Sequence, residues 1–214
     1  MPLAPVRYAI EIPAAQAKLS GELTLPDGAR GVVAFAHGSG SSSLSPRNRY
    51  VAEVLQGCAI ATLLLDLLTP TEDARYENRF DIALLAERLL DAVHWLQHEP
   101  NTRALRLGLF GGSTGAAAAL QAAAQLGSTI TAVVSRGGRP DLAGGKALRA
   151  LLCPALLIVG GEDDLVLELN RAALELLTCP REMKVIPGAG HLFEEPGTLE
   201  QVAAAAADWF SRYL

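Results

Sequence analysis

The sequence predicts an α/β fold: a mostly parallel sheet of about eight strands, helices on both faces and no lid domain. Strand-length apolar runs alternate with helical patterns along nearly all of the 214 residues, the signature of strand–helix–strand crossovers. Several runs are almost continuously apolar, as strands buried on both faces must be. No repeat, low-complexity linker or charge block divides the chain, so one domain over residues 1–214 is expected.

Taken in order, Tyr8 to Ile12 and Lys18 to Leu25 alternate at period two, with Pro13 to Ala17 joining them as an antiparallel edge pair. After Asp27-Gly28, the run Gly31 to Ala36 reads as a buried strand, as do Ile60 to Leu65, Leu105 to Phe110, Ile130 to Ser135 and Ala155 to Val159. Met183 to Ile186 is a shorter, edge-like version. Helical patterns lie near Arg47 to Leu55, Phe80 to Gln97, Thr114 to Leu126, Val166 to Leu177 and Leu199 to Tyr213. The stretch from Gly137 to Pro154 has room for one short helix.

Composition narrows the function classes. The chain is 50% hydrophobic, only 19% charged and carries a net charge of −5, which argues against nucleic acid or an anionic membrane as partner. No run approaches the roughly 18–20 apolar residues of a membrane span. The amino terminus lacks the pattern of a signal peptide. Three widely spaced cysteines (Cys58, Cys153, Cys179) without a Cys-x-x-Cys read as reduced thiols in the cytoplasm.

In open α/β sheets ligands sit beyond the carboxyl ends of the strands. There the informative segment is Gly111-Gly112-Ser113-Thr114-Gly115, a Gly-x-Ser-x-Gly between an apolar strand and an alanine-rich helix. A serine at the tip of so sharp a turn needs small neighbours and adopts a strained backbone. A serine hydroxyl also needs a base, and the base an orienting acid. Two later strands end in Gly160-Gly161-Glu162-Asp163-Asp164 and Gly188-Ala189-Gly190-His191. Ser113 is therefore the candidate nucleophile and His191 the base. Asp163 is the favoured acid, with Asp164 expected to cap the following helix and Glu162 a poorer option. The loop His37-Gly38-Ser39-Gly40 would complete an oxyanion hole. Its backbone donors are the N–H of Thr114 and that of Ser39, with Gly38 the alternative, while His37 braces the loop.

These residues resemble the α/β-hydrolase superfamily, in particular its small lidless branch similar to dienelactone hydrolases, and the resemblance covers nearly the whole chain. It implies an α/β-hydrolase fold in which Ser113 attacks an acyl carbon, His191 shuttles the proton and Asp163 orients the imidazole. It implies a small-molecule ester substrate, no metal and no organic cofactor. Dienelactone hydrolases proper use a cysteine nucleophile where this chain has Ser113, which favours a serine esterase for small or short-acyl esters. Lactone hydrolysis, thioesterase, amidase or acyltransferase chemistry at the same site, and a non-catalytic binding role, are the alternatives. A monomer or homodimer is expected.

Four arginines lie near the candidate site: Arg47 and Arg49 after the oxyanion loop, Arg136 and Arg139 after the sixth strand. Structural pairing with Asp66, Asp141 or Glu194 is one reading. The other is a bidentate grip on a substrate carboxylate, for which Arg136 is best placed and Arg47 next. Tyr76 and Phe80 are candidates for an acyl pocket. His94 and His98 have metal-compatible spacing but read as a solvated helix face.

Overall fold

The computed structural model describes residues 4–15 and 17–214. Its strands are β1 (Val6–Ala14), β2 (Ala17–Leu25), β3 (Gly31–Ala36), β4 (Ile60–Leu65), β5 (Arg106–Gly112), β6 (Ile130–Arg136), β7 (Ala155–Gly160) and β8 (Arg181–Ile186). They form one sheet in the order β1-β2-β4-β3-β5-β6-β7-β8. β1 and β2 are antiparallel to their neighbours, and all pairs from β3 onward are parallel. This is the expected α/β-hydrolase fold.

The helices are α1 (Pro46–Gly57), α2 (Pro70–Asp73), α3 (Ile82–His98), α4 (Thr114–Leu126), α5 (Gly145–Ala150), α6 (Asp164–Leu176) and α7 (Thr198–Tyr213). Two apolar layers sandwich the sheet. Leu85, Leu89, Val93 and Leu96 of α3 and the alanine stripe of α4 cover one face, in a core shared with Val32, Leu63 and Leu109. Val51 and Leu55 of α1 and Val202, Ala206 and Phe210 of α7 cover the other, against Val33, Phe110 and Val134. β3, β4 and β7 are buried at every residue, which is why alternation vanishes from their sequences.

Where the reading of the sequence and the structure differ, exposure explains most of it. β1 begins at Val6, two residues early, because its first four residues are exposed on an edge strand and carry no burial pattern. β5 runs two residues further than its apolar stretch, through Gly111 and Gly112, which pair with Ser135 and Arg136. The ladder therefore reaches the residue before Ser113. The link between β6 and β7 holds a 3₁₀ turn at Pro140–Ala143 as well as α5. Among the described residues no helix is long and apolar enough to cross a membrane.

Candidate active site

Ser113 sits between β5 and α4 at φ 51° and ψ −120°, a conformation that disfavours any residue with a Cβ. The turn is enforced from outside its own strand. Ser113 N–H donates to Arg136 O at 3.2 Å, and Ser113 O accepts from Ala116 N at 3.1 Å and Arg139 N at 3.2 Å. The two motif glycines are a steric requirement. A Cβ on Gly111 would lie 2.4 Å from Ala116 Cα, and one on Gly115 would lie 2.3 Å from Ala36 O and 2.4 Å from His37 O. The start of α4 thus lies directly against the end of β3.

His191 and Asp163 come together from the loops after β8 and β7. His191 Nδ1 and Asp163 Oδ2 are 2.6 Å apart, with the two side chains 38% and 16% exposed. A carboxylate can only accept, so Nδ1 carries the proton; in the neutral imidazole this tautomer leaves the lone pair on Nε2. Asp163 occupies the N-cap position of α6, yet its side chain goes to His191 rather than to the helix. The expectation that Asp164 caps this helix is corrected: Asp164 is its first residue, exposed, and α6 has no side-chain cap. Ser113 Oγ makes no hydrogen bond to His191 here; such contacts often close only in the substrate complex.

The histidine loop is held on three sides. Gly190 N–H donates to Glu195 Oε1 at 3.1 Å. Phe193, 2% exposed, anchors the loop in the core at φ 54°. Gly137 packs beneath, where a Cβ would meet His191 O at 3.0 Å. The sequence reading assigned none of these roles; Glu194-Glu195-Pro196, just past the histidine, reads from sequence as a solvated helix entry.

The oxyanion loop packs on the elbow, since a Cβ on Gly38 would stand 3.1 Å from Ser113 Cβ. His37, 7% exposed, braces the loop as expected. Leu67 N–H donates to its Nε2 at 3.1 Å, so Nε2 is the unprotonated nitrogen and Nδ1–H donates to Gly38 O at 3.0 Å. Ser39 N–H is not free: it donates to Thr114 Oγ1 at 2.9 Å. The Thr114 side chain, unnoticed in the sequence, joins the two halves of the candidate oxyanion hole.

The arginines separate into paired and unpaired. Arg139 forms a two-pronged pair with Asp141 at 2.9 and 2.7 Å, and Arg47 Nη1 meets Glu194 at 3.1 Å. Asp66 instead accepts from Ser43 N. Arg136 is 9% exposed, and its Nε and Nη1 are buried without a partner. Burial, with Arg47 adding repulsion, pulls its pKa from the ordinary guanidinium value down to about 10. Tyr76 is 68% exposed and packs on Phe80 at 5.2 Å between ring centroids. A cavity of about 300 Å³ beside the loop is lined by His37, Ser41, Asp66, Leu68 and Thr69.

The cysteines are free, with Cys153 and Cys179 buried and Cys58 half-buried. Burial pushes the Cys153 thiol up to about 12. Among the described residues no group of three or more His, Cys, Asp or Glu is arranged to hold a metal ion.

The eight-stranded sheet and the strand-end loops define an α/β hydrolase. The family model for the dienelactone hydrolase family matches residues 63–214, and the chain belongs to that family. It is similar to a dienelactone hydrolase from Anabaena variabilis, with 55% identity, a TM-score of 0.95, and 98% of this chain and 99% of that one covered. The esterase Est1E from Butyrivibrio proteoclasticus shares the fold at 17% identity and a TM-score of 0.82, covering 96% and 98% of the two chains. A Mycobacterium tuberculosis protein, named provisionally as a phosphoribosyl transferase, is 56% identical over 205 residues, 96% of this chain but 46% of that protein. The chain thus spans less than half the length of the curated relatives it matches.

Proposed function

We propose that this chain is a serine carboxylic-ester hydrolase acting on small or short-acyl esters through an acyl-enzyme. The observation that carries the reading is the strained Ser113 elbow at the end of β5, with the 2.6 Å His191–Asp163 pair supplied by two neighbouring strand ends. In the first half-reaction Ser113 Oγ bonds to the ester carbon as His191 Nε2 takes its proton. The ester C–O bond then breaks, and the alcohol leaves with that proton. In the second, His191 removes a proton from water as the oxygen attacks the acyl carbon, and Ser113 Oγ departs with the proton. Asp163 holds the imidazole tautomer and stabilises the imidazolium.

The tetrahedral oxyanion is received by Thr114 N–H, at the positive end of α4, and by Ser39 N–H once it turns from the Thr114 hydroxyl. Each step draws on protein groups and water. The family makes lactones a related substrate class. The transferase name of the mycobacterial relatives describes proteins more than twice as long, and we assign the acyl-hydrolase role to the portion they share with this chain.

The test is burst kinetics with p-nitrophenyl acetate and butyrate on wild type and Ser113→Ala in parallel, with fluorophosphonate labelling. Saturable turnover and labelling, both abolished by Ser113→Ala, are expected. Equal, negligible rates and no label would replace the reading with a binding role.

A further inference from the structure

The unpaired arginine beside the elbow has no structural explanation among its neighbours. Arg136 ends β6 directly across the ladder from Gly112, so the guanidinium lies beside the residue that precedes Ser113. Its Nη2 would stand 2.5 Å from a Cβ on Gly112, a space only glycine leaves open. Arg136 is nine-tenths buried and its Nε and Nη1 lack partners. The charged group acting on it is another cation, Arg47.

Arg47 lies in the first turn of α1, which carries no acidic residue; its terminus is capped by the neutral Ser45 hydroxyl, which accepts from Asn48 N–H, so no negative charge offsets the helix dipole there. Arg47 Nε is itself buried and unpartnered. The one carboxylate paired with Arg47, Glu194, is 65% exposed in its side chain. Arg136 beside the elbow and the neighbouring Arg47, at the start of α1, thus share a single, largely solvated counter-charge. Buried charges are ordinarily paired, and an unpaired one is retained where a ligand supplies the partner.

We propose that Arg136 Nη2, Arg47 and the amino terminus of α1 form an anion subsite that takes a phosphate monoester carried by the ester substrate. With Glu194 set against Arg47, the two guanidiniums and the amino terminus of α1 leave about +1.5 charges, which a monoester phosphate, with about −1.5 to −2 at pH 7, matches more closely than a carboxylate. The inference rests on the esterase reading for the word substrate, but the anion site itself does not.

Two experiments separate them. In the first, kcat/KM is compared for 4-acetoxyphenyl phosphate, 4-acetoxybenzoate and phenyl acetate, which share an aryl acetate and differ in charge. The phosphate ester is expected to lead both others by at least about tenfold, with inorganic phosphate inhibiting competitively. Arg136→Met and Arg47→Gln should each cut the ratio of phosphate ester to phenyl acetate by about tenfold or more, and Arg136→Lys by less. In the second, inorganic phosphate is titrated calorimetrically into Ser113→Ala and into Ser113→Ala carrying Arg136→Met. Binding is expected in the former and lost in the latter. Binding without ester turnover by the wild type would sustain the anion site and remove the esterase reading. Turnover with equal preference for all three esters, or with the carboxylate preferred, would overturn the phosphate subsite. So would phosphate binding that Arg136→Met leaves intact, or binding without preference for the phosphate ester, which would make free phosphate the ligand.

Discussion

Replacing Arg136 by methionine should stabilise the protein, and the structure supplies the magnitude. The drop of the Arg136 pKa from its ordinary value to about 10 corresponds, at about 1.4 kcal/mol per tenfold change, to a charged form roughly 3 kcal/mol less favourable in the folded than in the unfolded chain. The sign follows from linkage. A cation whose folded pKa is lowered binds fewer protons folded than unfolded only between that folded value, about 10, and the ordinary guanidinium value, so stability rises across that window. Below pH 10 both states are protonated and the whole deficit is present. Methionine keeps an unbranched stem in the space and removes the charge. A gain of about 1–3 kcal/mol at pH 7 is expected, or a rise in Tm of about 3–9 °C for a chain of this size. Calorimetric Tm and the urea midpoint at unchanged slope would measure it. A fall in Tm would refute the reasoning, because it would mean that the guanidinium is satisfied in place and serves the fold.

Asp163→Asn should lower kcat by about 10³–10⁴-fold by losing the tautomer control of His191, while Asp164→Asn should stay within about threefold; comparable losses from both would reassign the acid. Gly115→Ala should destabilise by about 2–3 kcal/mol or more in urea titrations, since its Cβ would lie 2.3 Å from Ala36 O. Glu72 tests the cap of α2. Burial raises its pKa, but the Thr69 N–H and hydroxyl and Arg88 together outweigh burial and lower it. Its stabilisation is therefore complete above the ordinary 4.5 and fades as pH falls through the lowered folded value. Glu72→Gln should cost about 1–2 kcal/mol at pH 7, with the difference from wild type shrinking in acid unfolding curves. A pH-independent difference would show that the carboxylate charge is immaterial.

Most of this architecture is legible because burial writes itself into the sequence. Strands such as β3 and β7 are continuous apolar runs, and α4 matches its predicted bounds, Thr114–Leu126, at both ends. The candidate nucleophile is legible for a related reason. The sterics that force Gly111 and Gly115 leave a spacing no substitution can disguise, and the His191–Asp163 pair follows from the need to place three groups at neighbouring strand ends. Long-range polar contacts leave no such trace. The Thr114 hydroxyl reaches Ser39 across 75 residues, and Glu195 reads as a solvated acid until the backbone of Gly190 is placed beside it. Tyr76, in the short 3₁₀ turn Tyr76–Phe80, sits in a segment too brief for periodicity to say which way an aromatic faces. Arg136 was visible as a strand-end arginine, but its lack of a partner emerged only when Asp141 and Glu194 were found to be taken by Arg139 and Arg47.

Two of the strained residues and one uncompensated charge lie close to the elbow: Ser113 at φ 51°, Phe193 at φ 54° and the Arg136 guanidinium, whose Nε and Nη1 are buried without partners. Strain of this kind persists only where surrounding structure over-determines it. Here the restraint comes chiefly from β6 and the loop after it. The Arg136 carbonyl takes the Ser113 N–H, the Arg139 N–H is donated to the Ser113 carbonyl, and Gly137 N–H is tied to Ile158 O of β7 at 2.8 Å. The main chain that shapes the elbow therefore also carries the arginine of the anion subsite and the glycine beneath His191. The proposed nucleophile, base and anion site all contact one short backbone segment, Arg136 to Arg139. A change there that shifts the main chain should alter acyl transfer and anion recognition together, whereas a change confined to the Arg136 side chain should separate them.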